Sequence, residues 1–177
     1  MRHGNPQRRT VIRPFVAIAL LSVTLVVGCF ARPQQVIRSG TEGTNGQIGE
    51  ILLRNVLVVP PPDGVYRPGE STVVRFELYN GSDQEEALVG ASSGEATLGR
   101  LRWDQNCDGD DEIVPRIPIL PEGTVPLSPD TRLGGTPYYL EIVGLTQVVR
   151  PGTTLPVSFT FERAGTVTID ALVQVLR

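Results

Sequence analysis

The chain has 177 residues, of which 40% are hydrophobic and 20% charged, and its formal net charge is −3. This length accommodates one domain with a hydrophobic core, and the acidic balance disfavours nucleic acid as a partner. All sixteen basic residues are arginines and the only histidine is His3, so acid–base and nucleophilic catalysis have few candidate groups and we predict no enzyme activity.

The first part of the chain has the pattern of an export signal. Four arginines precede an apolar run from Phe15 to Val27, which is too short to span a bilayer stably. A small residue and Cys29 end this run, and the arrangement resembles the lipobox of bacterial lipoproteins. The resemblance implies that residues 1–28 are a signal peptide, that Cys29 is lipidated, and that the protein is anchored to the extracytoplasmic face of the cell membrane. The adjacent Arg8 and Arg9 leave both the general secretory and the twin-arginine export routes open.

Removal of the signal peptide changes the composition of the chain. The part after Cys29 has twelve arginines and nineteen acidic residues, a formal charge of −7, and contains neither histidine nor methionine. With Cys29 lipidated, Cys107 is the one remaining cysteine, so the fold must hold without an intramolecular disulfide.

Residues 29–47 are predicted to be the lipidated cysteine and a flexible tether, because they contain few large apolar residues. Every later pattern is β, and none has a sustained helical period. We predict an all-β domain over residues 48–177, a Greek-key, immunoglobulin-like β-sandwich of seven to nine strands. The predicted strands are Ile48–Val59, Thr72–Tyr79, Glu86–Ser92, Leu98–Trp103, Glu112–Ile119, Tyr138–Val143, Leu155–Phe161 and Thr166–Val175.

Three stretches of the domain resemble one protein family. They are Phe76–Asp83 leading into Ala87–Ser93, then Ile119–Val125, and then Ile142–Gly165. Their order and spacing resemble those of the periplasmic copper chaperones of the PCu(A)C type, and more closely the actinobacterial lipoproteins related to them. The resemblance spans about residues 72–175, and it implies a cupredoxin-like β-sandwich, in agreement with the strand pattern.

The copper ligands of this family are missing from the sequence. The family binds Cu(I) with histidines and methionines, including a His-x-Met pair just before a Gly-Leu that matches Gly144 and Leu145. The two matching positions are Tyr139 and Glu141. Thioether and imidazole groups suit Cu(I), whereas phenol and carboxylate do not. The resemblance therefore supports the fold and the location of the protein, but not the family's copper site.

An Asp-rich loop, residues 104–112, is the one pattern that suggests a metal site. Its first six residues match the D-x-N-x-D-G start of a calcium loop, in which alternate oxygens converge on a hard cation. No helices flank the loop, and Pro115 occupies the position of the usual bidentate glutamate, so an acidic β-hairpin loop without metal is the alternative. Calcium is the one candidate cofactor, and its ligands would be Asp104, Asn106, Asp108, Asp110 and Glu112.

Other side chains in this region have competing interpretations. Cys107 is either an inert loop cysteine, a weak Cu(I) ligand or the site of an intermolecular disulfide, and neighbouring carboxylates should make it a poor nucleophile. Trp103, Tyr138 and Tyr139 fall near the edge where the related chaperones place metal, so they are candidates for an apolar contact surface. Core packing accounts for Trp103 equally well. The acidic pair at residues 85–86 and the run at residues 110–112 are interpreted as solvated charge.

These patterns predict a non-enzymatic binding or structural module of the cell envelope. Its expected partners are the membrane, through the lipid anchor, and an envelope protein that the sequence does not identify. The alternative is a metal-binding module, with either calcium at the loop Asp104–Glu112 or copper carried together with another protein.

Overall fold

A computed structural model describes residues 43–125 and 136–175. All described residues belong to one compact unit. The predicted signal peptide, Cys29 and most of the predicted tether lie outside the described residues. Within the described ranges, no helix is long and apolar enough to cross a membrane.

The regular elements of the described residues are all strands, which confirms the predicted fold class. β-Branched and aromatic residues make up at least half of seven of these eleven strands, as expected of half-buried strands. The strands are β1 (Thr44–Ile48), β2 (Ile51–Val58), β3 (Thr72–Asn80), β4 (Glu86–Ser92), β5 (Ala96–Trp103), β6 (Glu112–Val114), β7 (Ile117–Ile119), β8 (Gly123–Thr124), β9 (Tyr138–Leu145), β10 (Thr154–Phe161) and β11 (Gly165–Val173).

Nine of these strands form a continuous path in the order β6-β5-β9-β3-β2-β11-β10-β4-β7, with β1 paired to β2 and β8 paired to β3. All neighbours are antiparallel except β11 and β2. The end strands β6 and β7 are joined only by Pro115 and Arg116, so the path nearly closes on itself. Neighbours that are distant in sequence, such as β3 and β9, require the crossing connections of a Greek key.

The core is built from the inward-facing residues of each strand. In β3, Val74, Phe76 and Leu78 are buried, whereas the two residues between them, Arg75 and Glu77, are exposed, as the period of two predicts. Phe76 lies at the centre, with its ring 5.3 Å from the ring of Tyr138 and 5.2 Å from that of Phe159. Such aromatic contacts join the two faces of the domain across its interior.

The structure corrects two predicted boundaries. The sequence predicts a tether that includes residues 44–47, but these residues belong to β1, which pairs with β2. Hydrogen bonds of asparagine side chains support this pairing. The backbone N–H of Asn55 donates to Asn45 Oδ1 at 2.9 Å, and Asn55 Oδ1 accepts the N–H of Gly43 at 3.0 Å. The predicted strand Glu112–Ile119 is divided by Pro115 into β6 and β7, which pair with different neighbours.

Glu86 also differs from its interpretation as solvated charge. Its side chain is buried, with a 5% exposed fraction for the residue. The carboxylate accepts the N–H of Ala87 at 2.8 Å, of Arg163 at 3.1 Å and of Ala164 at 2.9 Å. Glu86 therefore fixes the turn between β10 and β11, whereas its neighbour Glu85 is exposed as expected.

Candidate functional site

The outward faces of β5 and β9 bring four charged or polar side chains together. These strands pair so that Arg102 lies opposite Tyr139 and Arg100 lies opposite Glu141. Because successive residues of a strand point to opposite faces, all four side chains project outward, whereas Leu101 between the arginines is buried.

These four residues and Asp111 form a hydrogen-bonded cluster, which we call the outer-face network. Arg102 donates from one terminal nitrogen to Asp111 Oδ1 at 2.8 Å and from Nε to Glu141 Oε2 at 3.2 Å. Arg100 donates to the same Glu141 oxygen at 3.5 Å. Tyr139 donates its hydroxyl to Asp111 Oδ2 at 2.8 Å. Two arginines and two carboxylates make the network neutral overall.

The network stabilises the protonated forms of Arg102 and Tyr139. The hydrogen bond to Asp111 is the largest influence that raises the pKa of Arg102, and Glu141 raises it further against the opposing effect of burial. Burial is the main cause that raises the pKa of Tyr139 to about 12, and the hydrogen bond to Asp111 and its negative charge contribute as well. Tyr139 is therefore a neutral hydrogen-bond donor at physiological pH.

Tyr139 and Glu141 occupy the positions that the sequence resemblance matched to copper ligands. The structure places both in the outer-face network, where their oxygens bond to Arg102 and Asp111. Within residues 43–125 and 136–175, no three His, Cys, Asp or Glu side chains are grouped so that they can hold a metal ion. The arrangement suits salt-bridge and hydrogen-bond recognition better than coordination of a soft metal.

Two carboxylates of the Asp-rich loop, those of Asp104 and Asp108, accept hydrogen bonds from the backbone of the loop itself. Asp104 accepts the N–H of Asp108 at 3.1 Å on one oxygen and the N–H of Gly109 at 2.9 Å on the other. Asp108 in turn accepts the N–H of Asp110 at 3.0 Å. These bonds are those of a closed acidic loop, and they account for Asp104 and Asp108 without a cation.

The other predicted calcium ligands do not join these carboxylates in a metal-binding group. Asn106 and Glu112 are exposed, and Glu112 begins β6. Cys107 is half-buried with a positive φ of 54°, and its N–H donates to the Asp104 carbonyl at 3.4 Å. Calcium binding, like the role of Cys107, stays a prediction that the described geometry does not test.

The aromatic residues divide between the core and the surface. Tyr138 was a candidate for a contact surface, but it is buried and its hydroxyl oxygen accepts the N–H of Leu78 at 3.2 Å. Burial raises its pKa to about 12. Tyr138 and Tyr139 are adjacent on one strand and must point to opposite faces, so only Tyr139 faces outward. Trp103 is half-buried and packs against the core.

Sequence reasoning missed three members of the outer-face network. Arg100 and Arg102 alternate with apolar residues in β5, and this period of two was a sufficient signal for an outward-facing pair. Asp111 was interpreted as solvated charge. Its role depends on the pairing of β5 with β9, and strands that are about 40 residues apart give no local signal of their pairing.

The fold is shared with solved copper-binding domains. The copper-bound PCuAC domain from PmoF2 superimposes with a TM-score of 0.58 at 21% identity, covering 75% of this chain and 99% of that one. The apo PCuAC domain from PmoF1 superimposes with a TM-score of 0.59 at 19% identity, covering 75% of this chain and 100% of that one. The solution structure of CuI-DR1885 from Deinococcus radiodurans superimposes with a TM-score of 0.50 at 24% identity, covering 77% of this chain and 83% of that one. At these identities the likeness establishes a common fold.

The sequence itself matches one family. A search of curated protein sequences gives no significant match. Residues 51–173, which run from β2 to the end of β11, match the family described as "Putative lipoprotein LpqE-like". The chain therefore belongs to the LpqE-like family.

Proposed function

We propose that the protein is a non-enzymatic, lipid-anchored binding module of the cell envelope, whose copper-chaperone-like domain recognises another envelope protein. The outer-face network carries this proposal. At the two positions matched to copper ligands, Tyr139 and Glu141 are bonded to Arg102 and Asp111. Arginine and tyrosine are also the side chains that protein interfaces favour.

Exposed apolar side chains on the same face support a protein partner. Ile113 lies opposite Arg102 in the pairing of β5 with β6, and Leu98 lies two positions before Arg100 in β5. Both are exposed, with fractions of 57% and 46%. A face that combines exposed apolar residues with arginine and tyrosine has the composition of a protein–protein interface.

The shifted pKa values support a non-enzymatic role. The pKa values of Arg102, Tyr138 and Tyr139 are each raised, which moves them further from neutral pH. A general acid or base needs a pKa near the working pH, and the pKa of each of these three groups moves away from that pH.

A photo-crosslinking experiment tests the binding role. A photoreactive residue at Ile113 or Leu98 of the full chain in intact cells should give one specific crosslinked envelope protein. The same substitution at Val148, which is 46% exposed but lies outside this face, is the matched control. The band should also weaken when Arg100→Glu is added. Equal crosslinking from Ile113, Leu98 and Val148 would contradict the proposal, and so would the absence of crosslinking from both Ile113 and Leu98.

The anchor requires its own test. Wild-type protein should incorporate a palmitate analogue and remain with the membrane fraction, and Cys29→Ala should do neither. Cys107→Ser controls for the loss of a cysteine and should behave like wild type. A Cys29→Ala variant that stays labelled and membrane-bound would contradict anchoring through Cys29.

Copper transport is the second candidate function, and the structural likeness to a copper-bound domain favours it. Because the chain after Cys29 has no histidine or methionine, copper would have to be held by Cys107 or by ligands from a partner. Competition against a Cu(I) chelator, with and without the crosslinked partner, separates this function from the binding role.

A further inference from the structure

The chain contains two Asn-Gly steps, Asn45–Gly46 in β1 and Asn80–Gly81 at the end of β3. An asparagine followed by glycine can lose its side-chain amide without an enzyme, because glycine has no side chain to hinder attack by its own backbone nitrogen on the asparagine Cγ. In a folded protein the attack also requires that the backbone nitrogen and the side-chain amide are free to move. The two steps have opposite surroundings in this respect.

The Asn80–Gly81 step is held by hydrogen bonds at each reacting group. Asn80 is fully buried, its Nδ2 donates to the carbonyl of Gln84 at 2.7 Å, and its Oδ1 accepts the N–H of Ser82 at 3.0 Å. The nitrogen of Gly81, which would be the nucleophile, donates its N–H to the carbonyl of Glu50 at 2.9 Å. Attack would require these bonds to break at a buried position, so the fold protects this step.

The Asn45–Gly46 step lies on the surface at an irregularity of the sheet. Asn45 is exposed, and the register of β1 against β2 shifts between Thr44 and Gly46, so the ladder is irregular at this residue. Asn45 Oδ1 accepts the N–H of Asn55 at 2.9 Å, and a donor at this oxygen stabilises the negative charge that develops on it during attack. Among the described residues, none accepts a hydrogen bond from Asn45 Nδ2, so none of them holds the leaving group in place.

Both residues of this exposed step have structural roles, which keep the reactive pair in the fold. A Cβ added at Gly46 would collide with the side chain of Ile169, which is buried. Asn45 supplies the acceptor for Asn55, which has a φ of 53° at the irregularity of β2 and whose own side chain accepts the N–H of Gly43 at 3.0 Å. Replacement of either residue would therefore disturb the pairing of β1.

We propose that Asn45 is a site of spontaneous deamidation and that the reaction loosens the first strand of the domain. The Gly46 nitrogen forms a bond to Asn45 Cγ, the Cγ–Nδ2 bond breaks, and the proton of the Gly46 N–H leaves with the amide as ammonia. Water then opens the resulting succinimide at either carbonyl, which yields aspartate or isoaspartate. The reaction consumes only water, and it does not depend on the proposed function of the outer face.

The two products have different effects on β1. Aspartate keeps an oxygen at the position of Oδ1, and its charge strengthens the bond from the Asn55 N–H. Isoaspartate leads the main chain through Cγ, which adds one atom to the backbone of β1 and converts this acceptor into a main-chain carbonyl. Thr44, which pairs with Val56 and donates its hydroxyl to the carbonyl of Asp170 at 2.7 Å, is then out of register. Isoaspartate at position 45 should therefore release the start of β1 from β2 and β11.

The test follows deamidation of the full chain in detergent, by mass spectrometry of its peptides during incubation at mildly alkaline pH. Asn45 should gain one mass unit at least about tenfold faster than Asn80, the equivalent of roughly 1.4 kcal/mol in the free energy of local opening. In denaturant the two rates should be similar, because unfolding removes the contacts that protect Asn80. The mass gain separates this reaction from isomerisation at Asp-Gly steps, which leaves the mass unchanged.

Two variants and a hydrogen-exchange measurement test the structural consequence. Asn45→Gln should lose the mass gain, because its longer side chain closes a ring far more slowly, and freshly prepared Asn45→Asp is the control for the aspartate product. Amide exchange of residues 44–47 should become faster in the isoaspartate fraction of aged wild-type protein and stay unchanged in Asn45→Asp. Deamidation of Asn45 that is no faster than that of Asn80, a preference for Asn45 that persists in denaturant, or isoaspartate without faster exchange would overturn the proposal.

Discussion

Tyr139 donates its hydroxyl to Asp111 at 2.8 Å, and this bond ties the end of the Asp-rich loop to β9. Asp111 is bonded through its other oxygen to Arg102 on β5, so one carboxylate connects the loop with two neighbouring strands. Positions that the resemblance matched to metal ligands are therefore part of a structural cluster.

Arg102→Ala should lower the free energy of unfolding by about 1–3 kcal/mol, because it leaves Asp111 and Glu141 without their shared cation. The Arg102 side chain is only 26% exposed, so solvent replaces its contacts incompletely. Arg116→Ala is the matched control, since Arg116 pairs with Glu85 and Glu162 at 3.4 and 3.3 Å but is 47% exposed. It should cost less than about 0.5 kcal/mol. Unfolding of both variants in denaturant measures the two losses of unfolding free energy, and equal losses would contradict a stabilising role of the network.

Glu86→Ala should be among the more damaging single substitutions, at about 3 kcal/mol or more. The change removes the acceptor of the N–H groups of Arg163 and Ala164 in the turn between β10 and β11, and of Ala87 in β4. Glu85→Ala, one residue earlier and 55% exposed, should cost less than about 0.5 kcal/mol. Thermal or denaturant unfolding of the two variants measures the difference, and indistinguishable stabilities would show that Glu86 does not anchor this turn.

The two shifted tyrosines predict a loss of stability at alkaline pH. The pKa of both Tyr138 and Tyr139 is raised from 10.0 to about 12 in the folded protein, so the unfolded chain releases these protons first. The folded state then binds more protons between these values, and the free energy of unfolding falls as the pH rises from 10 toward 12. Below pH 10 the stability that the two protonated tyrosines contribute is fully present.

Phenylalanine variants measure the share of each tyrosine in this decline. Tyr139→Phe should reduce the slope of unfolding free energy against pH, and Tyr138→Phe with Tyr139→Phe should reduce it further. Unfolding in denaturant at several pH values between 9 and 12 provides the slopes. A double variant that retains the full slope of the wild type would contradict this assignment.

An Asp104→Ala variant distinguishes a loop that is only structural from a calcium site. Asp104→Ala removes the acceptor for two backbone N–H groups and should lower stability by about 1–2 kcal/mol with or without calcium. If the loop binds no calcium, melting temperatures of both proteins should be the same in millimolar calcium and in chelator. A rise of several degrees with calcium in wild type alone would instead establish the calcium site, because a ligand of the folded state stabilises it.

The strands and their inward faces could be predicted because each is encoded locally. The alternation of Val74, Phe76 and Leu78 with polar residues identifies both the strand and its buried face. The prolines that bound or divide strands are equally local signals, although the division at Pro115 was missed. Residues 44–47 were misassigned because hydrogen bonds of asparagine side chains, which have no hydrophobic pattern, hold β1 in place.

The site could not be predicted to the same extent, because its contacts join distant segments. Glu86 and Asp111 both occur in acidic stretches that look solvated, yet each bonds to a segment that is between 9 and 78 residues away. Only the sheet order brings those partners into reach. The resemblance to copper chaperones singled out the positions of Tyr139 and Glu141, but it gave no information on what replaces the copper ligands.

If the domain acts as a binding module without a PCuAC-type copper site, as we propose, it should bind Cu(I) only weakly. The most direct measurement is the competition of the full chain with a Cu(I) chelator of known affinity. We expect binding to be weak and to disappear in Cys107→Ser, while Tyr139→Phe and Glu141→Gln leave it unchanged. Tight, stoichiometric binding of Cu(I) that survives Cys107→Ser would contradict the account.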